Sequence, residues 1–213
     1  MAPILILNLV LEFAWCTISL MNKQTPPFRV GFDMDGVLLY NPARIIRPFI
    51  SSIKRFFLHK RKLHFYYPKS SSEKFFWRLG HRSSIYNAPG LHEITKLVGE
   101  GKIEAYLITA RYSFLGISVQ NWVKNNKLDK TFKGVYFNAK DEQPHIFKEK
   151  MVKQLGLDMY IEDNFDIVNH LAQTTPAEIV WIYNIFDRGT LFPKKFPHLK
   201  QVIEFIRNEL SSP

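Results

Sequence analysis

Two acidic residues spaced two apart close an apolar run near the start of the chain. The run from Val30 to Phe32 leads into Asp33 and Asp35, and Gly36 follows at once. This pattern predicts a buried β-strand that ends in a tight turn, which brings both carboxylates to the carboxyl edge of a sheet. Ligands bind at that edge in open α/β sheets. Because two close anions repel each other unless a cation or a proton lies between them, the pair predicts a hard metal site, an acid/base pair, or both.

Three further groups of polar side chains lie at or near the carboxyl ends of other predicted strands. One apolar strand leads into the run 109–111, and another leads into the run 162–164. A helix before the second of these carries three lysines. The groups are Thr109, Ala110 and Arg111; Lys148, Lys150 and Lys153; and Glu162, Asp163 and Asn164.

Phosphoryl transfer to and from a carboxylate needs this set of groups. A carboxylate can attack phosphorus and form an acyl-phosphate, and Mg²⁺ can neutralise the two anions that must approach each other. A lysine and a hydroxyl can hold the remaining phosphate oxygens. A second carboxylate can protonate the leaving oxygen and then activate water.

Strands alternate with helices over much of the chain. Hydrophobic periodicity predicts strands at about 29–33, 103–109, 134–137, 159–162 and 178–184, and helices at 42–58, 91–99, 114–126, 145–155, 164–173 and 199–210. A loop is predicted over 59–73, a short helix opening at 75–77, and Gly156 as a helix C-cap. The alternation predicts an α/β fold with a mostly parallel sheet covered on both faces.

The predicted domains follow from the interruption after the first strand. Residues 25–40 and 88–213 form the core, residues 41–87 form an insert that would lie over the carboxylate edge as a lid, and residues 1–24 form an apolar N-terminal segment. Three interpretations of its apolar part, residues 3–21, remain open. They are a membrane anchor, an extra helix packed on the core, and an extension that precedes a natural start at Met21.

The basic charge is concentrated in the predicted insert. The chain has 29 basic and 19 acidic residues, a net charge of +10, and residues 44–82 hold eleven lysines and arginines against the single acid Glu73. Aromatic residues interleave with these cations. The composition suits a surface that contacts a nucleic acid or an anionic membrane, and it equally suits a small helical cap with an aromatic core and a solvated basic rim.

The cysteines and histidines of the chain limit which disulfides and metal sites it can form. The single cysteine, Cys16, excludes an intramolecular disulfide and a cysteine-based zinc cluster, and it fits a reducing, cytoplasmic compartment. The seven histidines are scattered without metal-ligand spacing, which predicts structural roles for them.

Four motifs resemble those of the haloacid dehalogenase superfamily, in the same order, over about residues 29–185. The run 33–37 (Asp-Met-Asp-Gly-Val) is similar to its motif I, and the run 107–109 (Leu-Ile-Thr) to its motif II. Lys148 stands where motif III places a lysine, and Glu162 with Asp163 resembles motif IV.

The resemblance implies a role for each matching residue. Asp33 would be the nucleophile and a magnesium ligand, and Asp35 would be the general acid/base with its backbone carbonyl on the metal. Thr109 and Lys148 would bind the transferring phosphoryl group. Asp163 would complete the metal site.

Other residues near these motifs have less definite roles. Ala110 follows Thr109 in the implied phosphate-binding turn, and Glu162 is a second candidate for the metal. Arg111 and Asn164 are candidates for contact with substrate or with the site residues. Lys150 and Lys153 lie close enough to compete with Lys148, and Asp166 falls one residue short of the usual second-acid spacing of motif IV.

The resemblance also implies fold and activity. The fold would be a Rossmann-like three-layer α/β/α core with a small helical C1-type cap inserted after the first strand. The activity would be that of a Mg²⁺-dependent phosphomonoester hydrolase, most similar to the small 5'-nucleotidase-type members, acting on a nucleotide or another small phosphorylated metabolite. The alternatives are the same chemistry on a nucleic-acid end or a phospholipid headgroup, and a non-catalytic anion-binding module.

Overall fold

The structure is a computed structural model, and it describes residues 27–40, 63–82 and 86–211. The apolar N-terminal segment at 1–24 and the predicted helix at 42–58 lie outside these residues. Among the helices that are described, none is both long and apolar enough to cross a membrane.

Eight strands and six helices make up the described residues. The strands are β1 (Phe28–Phe32), β2 (Leu39–Tyr40), β3 (Tyr86–Asn87), β4 (Ile103–Tyr112), β5 (Phe132–Asn138), β6 (Met159–Glu162), β7 (Glu178–Ile182) and β8 (Lys195–Phe196). The helices are α1 (Ser71–Arg82), α2 (Leu91–Gly99), α3 (Gly116–Asn125), α4 (Pro144–Leu155), α5 (Phe165–Thr174) and α6 (Leu199–Ser211).

A six-stranded sheet in the order β5-β4-β1-β6-β7-β8 forms the centre of the fold, and all its pairings are parallel. The apolar residues of α2, α3 and α6 pack on one face of this sheet, and those of α4 and α5 pack on the other. Since both faces are covered, the central strands are apolar on both sides, as Leu107 and Ile108 of β4 illustrate, one packed on each face. The predicted α/β class with a three-layer core is therefore confirmed.

The sheet order brings the motif-bearing strands together. β1 lies between β4 and β6, with Phe32 paired to both Leu107 and Ile161. Because the three strands are parallel, the residues that follow these positions meet at one edge of the sheet. Those residues include the carboxylates after β1, Thr109 of β4, and the acids at the end of β6.

Several predicted boundaries differ from the structure. The loop predicted over 59–73 ends earlier, because Ser70 and Glu73 form a reciprocal cap: the Glu73 backbone N–H donates to Ser70 Oγ at 3.1 Å, and the Ser70 N–H donates to Glu73 Oε2 at 3.0 Å. Helix α1 therefore begins at Ser71 and not at the aromatic residues 75–77. Strand β4 runs to Tyr112 and not to Thr109, with a shift of register beyond Thr109.

The three short strands are not predicted from the sequence, because a segment of two residues shows no hydrophobic periodicity. β2 and β3 pair antiparallel at the base of the insert, and β8 adds to the edge of the sheet beside β7. The strand predicted over 178–184 ends at Ile182. By contrast, the bounds of α2 and β6 match the prediction, and Gly156 caps α4 with a φ of 56°.

The returning side of the insert is tied to the core by an arm, residues 63–70. The Phe65 backbone N–H donates to Gln143 Oε1 at 2.8 Å, and Gln143 Nε2 donates back to the Phe65 carbonyl at 3.3 Å. The Tyr67 hydroxyl donates to Asp141 at 3.0 Å, and the Tyr112 hydroxyl donates to the Tyr66 carbonyl at 3.1 Å. These bonds fix the chain that leads into α1.

Candidate active site

The turn after β1 carries both acids of the first motif. Asp33 continues the ladder, because its backbone N–H donates to the Ile161 carbonyl at 3.0 Å. Both aspartates are buried. Gly36 has a φ of 92°, and a Cβ placed on it would lie 2.1 Å from Asp163 Oδ2. A glycine is therefore required here, both for the backbone conformation and for the close approach of Asp163.

A buried lysine joins the ends of two strands. Lys148 Nζ on α4 lies 3.0 Å from Asp33 Oδ1 and 2.5 Å from Glu162 Oε2. Its side chain is 3% exposed, whereas those of Lys150 and Lys153 are 41% and 48% exposed and pair with surface glutamates. Of the three candidate lysines, the structure therefore brings only Lys148 to Asp33 and Glu162.

Three carboxylates surround the position that a metal ion would take. Oxygen atoms of Asp33, Glu162 and Asp163 lie within 4.8 Å of one another. Lys148 contributes one positive charge beside these three negative charges, so two negative charges remain in excess. A divalent cation would neutralise this excess, and carboxylate oxygens are the ligands that Mg²⁺ prefers.

The pKa values of this cluster reflect the excess of negative charge. Burial raises the pKa of Asp33 well above its ordinary range; Lys148 opposes the shift, and the neighbouring carboxylates add to it. Burial likewise raises the pKa of Glu162, again against Lys148 and with Asp163 adding to the rise. Without a cation, the buried carboxylates thus retain protons to a higher pH than isolated ones.

Asp35 lies in a different electrostatic environment. Arg111 Nε and Nη2 donate to its two oxygens, Oδ2 and Oδ1, at 2.7 Å each. Burial alone would raise the pKa of Asp35, but the hydrogen bonds and charge of Arg111, with a smaller contribution from His81, hold it well below its ordinary range. Arg111 is therefore buried against a residue of the site, which is one of the two contacts that the sequence indicated for it.

A histidine from the insert reaches the same carboxylate. His81 Nδ1, near the end of α1, lies 3.6 Å from Asp35 Oδ2. The sequence had indicated structural roles for all histidines, and this contact shows that the insert extends to the site. Periodicity could not have found it, because the contact spans the whole insert.

The remaining candidate residues occupy defined positions around this centre. Thr109 is buried in β4, and its Oγ1 accepts from the Arg111 backbone N–H at 3.3 Å; Ala110 follows it in the strand. Asn164 caps α5 by accepting from the backbone N–H groups of Asp166 and Ile167. Asp166 thus lies in the first turn of α5, whereas Asp163 belongs to the carboxylate cluster.

Sequence comparisons assign no family, since no protein-family model and no curated protein matches the chain. Solved structures resemble it in fold. A proposed β-phosphoglucomutase from Thermotoga maritima superposes with a TM-score of 0.57 at 14% identity, over 85% of this chain and 99% of that one. A proposed haloacid dehalogenase-like hydrolase from Bacteroides fragilis gives 0.54 at 13% identity, over 83% and 99%.

A third structure was solved with an anion bound. CbbY from Rhodobacter sphaeroides in complex with phosphate gives a TM-score of 0.53 at 11% identity, over 83% of this chain and 96% of that one. At such identities the likeness concerns the fold and not the activity. The chain has the fold of the haloacid dehalogenase-like hydrolases.

Proposed function

We propose that the protein is a Mg²⁺-dependent phosphomonoester hydrolase that works through an aspartyl-phosphate. The observation that carries this proposal is the buried cluster of Asp33, Glu162 and Asp163 around one lysine, with two negative charges in excess. The cluster would be neutral with a divalent cation bound, and Asp33 could then be approached by a phosphate dianion.

Each residue then has the task that its motif implies. Asp33 attacks phosphorus as the nucleophile, and the bond from phosphorus to the leaving oxygen breaks. Asp35 gives that oxygen a proton, for which its ion pair with Arg111 must open in the substrate complex, and later takes one from the water that hydrolyses the acyl-phosphate. Lys148 of α4 and Thr109 of β4 hold phosphate oxygens, and Asp33 and Asp163, with the carbonyl of Asp35, would hold the metal ion.

The substrate we favour is a nucleotide or another small phosphorylated metabolite. Three aromatic rings of the insert lead towards Asp35: ring centroids lie 6.1 Å apart for Tyr66 and Trp77, and 6.2 Å apart for Trp77 and His81. A planar base can stack on such rings. The Thermotoga maritima protein is named for a sugar phosphate, and we carry this class over as the competing small substrate.

The test is phosphate release from a panel of nucleoside monophosphates and sugar phosphates. Wild-type protein should release phosphate only with Mg²⁺, and Asp33→Asn should lose the activity by several orders of magnitude because amide nitrogen and oxygen are poor nucleophiles. Lys150→Met, an exposed change on α4, serves as the matched control. Release that persists in Asp33→Asn would exclude the aspartyl-phosphate route.

A second candidate substrate is a phosphate at the end of a nucleic acid. It is favoured by the exposed side chains Phe75 and Phe76 of α1, 60% and 68% exposed, which lie among basic residues of the insert. Turnover of a 5'-phosphorylated oligonucleotide should then fall steeply with salt, because Lys and Arg contacts to phosphates release counterions. Salt-insensitive turnover of a free nucleotide would favour the small substrate instead.

A further inference from the structure

We propose that Trp181 is a positioning residue for the metal site, whose indole N–H holds the backbone of Asp163 and thereby sets the direction of the Asp163 carboxylate. The inference rests on the proposed function, in which Asp163 is a ligand of Mg²⁺. It assigns to a core residue of β7 a contribution to metal affinity, in addition to the stability that its burial provides.

A hydrogen bond from a buried side chain reaches the backbone of the metal-site aspartate. Trp181 Nε1 donates to the Asp163 carbonyl at 3.2 Å, and Trp181 is fully buried. A buried indole N–H needs an acceptor within the protein, because water cannot replace it. The acceptor here belongs to a residue whose carboxylate is one of the three in the cluster, so packing of the core and geometry of the site are joined at this bond.

The peptide unit between Asp163 and Asn164 is held at both ends. Its carbonyl accepts from Trp181, and its N–H donates to Glu162 Oε1 at 3.0 Å. The Asp163 N–H donates to the same oxygen at 3.2 Å, so the preceding peptide unit is held as well. Because each peptide unit is planar, fixing the two units on either side of the Asp163 Cα fixes the direction in which its side chain leaves the backbone.

The Asp163 carboxylate lies in a narrow position that depends on this direction. A Cβ placed on Gly36 would lie only 2.1 Å from Asp163 Oδ2, so the carboxylate passes close to the turn after β1. Oxygens of Asp163, Asp33 and Glu162 also lie within 4.8 Å of one another. Since Mg²⁺ demands near-ideal octahedral geometry, a rotation of the Asp163 backbone should weaken binding.

The indole that makes this bond is itself fixed by the core. Its ring packs against Phe165 and Phe192, with centroids 4.5 Å and 6.2 Å away. The Trp181 backbone N–H donates to the Lys194 carbonyl at 2.9 Å, beside β8. The donor therefore comes from a packed strand, and its position does not depend on the residues of the site.

The experiment measures the Mg²⁺ dissociation constant by isothermal titration calorimetry in wild type, Trp181→Phe and Trp181→benzothienylalanine. The benzothienyl ring has the shape of indole with sulfur in place of the N–H, so it removes the donor and keeps the packing. We expect the dissociation constant to rise about tenfold in both variants, as changes to groups that orient metal ligands commonly cause.

Urea denaturation separates positioning from a purely structural role. A structural role alone would lower the stability of the protein equally with and without Mg²⁺. If Trp181 positions Asp163, both variants should lose more stability at a fixed Mg²⁺ concentration than in its absence, because weaker binding adds to the loss.

Trp122→Phe is the matched control. Trp122 Nε1 also donates one hydrogen bond, to Asn87 Oδ1 at 3.1 Å, but this acceptor is not part of the carboxylate cluster. The change should leave Mg²⁺ affinity as in wild type. Phe192→Leu removes a ring that packs against Trp181 and keeps the indole donor, so it should lower stability without changing Mg²⁺ affinity.

Two kinds of failure are distinguishable. An unchanged dissociation constant in Trp181→benzothienylalanine, or an equal rise in Trp122→Phe, would overturn the positioning role while the metal site stands. Failure of wild type to bind Mg²⁺, or binding that Asp33→Asn does not weaken, would overturn the proposed function, and this role with it.

Discussion

At the scale of single residues, burial decides which lysine belongs to the site. Lys148, Lys150 and Lys153 share one helix and similar chemistry, but only Lys148 faces the sheet, where Asp33 and Glu162 lie within 3.0 Å and 2.5 Å of its ammonium. Burial alone would lower the pKa of Lys148, but the two carboxylates raise it above its ordinary value. The lysine therefore stays charged and holds two acids that would otherwise repel each other.

Replacing Lys148 should be costly to stability as well as to activity. Lys148→Met leaves buried carboxylates without their cation, and we expect a loss of about 3–5 kcal/mol in the free energy of unfolding of the metal-free protein. Urea denaturation measures it. Lys150→Met, at an exposed pair, should change the value by less than about 1 kcal/mol. Equal effects of the two changes would contradict the structural assignment of Lys148.

Gly36 is the residue whose backbone conformation bears directly on the proposed metal site. Gly36→Ala would place a methyl group against Asp163 at a φ of 92°, so both the turn and the carboxylate must shift. We expect Mg²⁺ affinity to fall at least tenfold, as second-sphere changes at metal sites commonly cause, measured by isothermal titration calorimetry. Gly99→Ala, whose added Cβ meets nothing within 4 Å, should bind Mg²⁺ as wild type does.

At the scale of elements, the arm at 63–70 couples the described part of the insert to the core. Gln143, just before α4, exchanges two hydrogen bonds with the backbone of Phe65. Tyr67 packs edge-on against Tyr112 with ring centroids 4.9 Å apart. The arm then leads directly into α1, which carries His81 to Asp35, so the position of His81 depends on these anchors.

Loosening the arm should affect the insert and leave the sheet unchanged. Gln143→Ala removes both bonds to Phe65 and should weaken the local structure by about 1 kcal/mol per hydrogen bond. Hydrogen–deuterium exchange should become faster in residues 63–82 and stay unchanged in β1 and β6. Gln120→Ala, at an exposed position of α3, is the control. Faster exchange throughout the core would mean that the arm is not a separate anchor.

At the scale of the whole molecule, the carboxylate cluster links stability to pH and to metal. Burial raises the pKa of Asp33 and of Glu162, so the folded protein binds these protons more tightly than the unfolded chain. Their contribution to stability is fully present below the ordinary carboxyl pKa of about 4 and is lost as pH rises through the raised values. Asp35 acts in the opposite sense. Because its pKa is lowered, it stabilises the fold above about pH 4, and this contribution is lost at lower pH.

At neutral pH, repulsion among its own buried carboxylates should therefore lower the stability of the metal-free protein. We expect Mg²⁺ to raise the melting temperature at pH 7, by the equivalent of about 2.7 kcal/mol at a concentration 100 times the dissociation constant. The rise should shrink as pH falls towards 4, because protons then replace the cation. Differential scanning calorimetry at constant ionic strength measures both. A Mg²⁺ effect that is independent of pH, or unchanged in Asp33→Asn, would contradict a site at this cluster.

The fold class could be predicted from the sequence because it depends on local patterns. Apolar runs of strand length alternate with segments of helical periodicity. Where such a run is followed by a polar group, that group is predicted to lie at the carboxyl edge of a parallel sheet. These patterns therefore identify Asp33, Thr109, Lys148 and Asp163 as candidates, and they give the bounds of β6 and α2 correctly. The capping box at Ser70 was a readable signal as well, and it corrects the start of α1.

The partners of these residues depend on the tertiary structure, because pairing between distant segments leaves no periodic signal in one sequence. Three lysines on one helix are equivalent until the sheet buries one of them. Arg111 could not be assigned until β4 was found to continue past Thr109 and meet Asp35 beside β1, and His81 could not be assigned until the arm brought α1 over the site. The sequence by itself thus determined which chemical groups stand at the sheet edge, and the packing of β1, β4, α1 and α4 determined which of them meet.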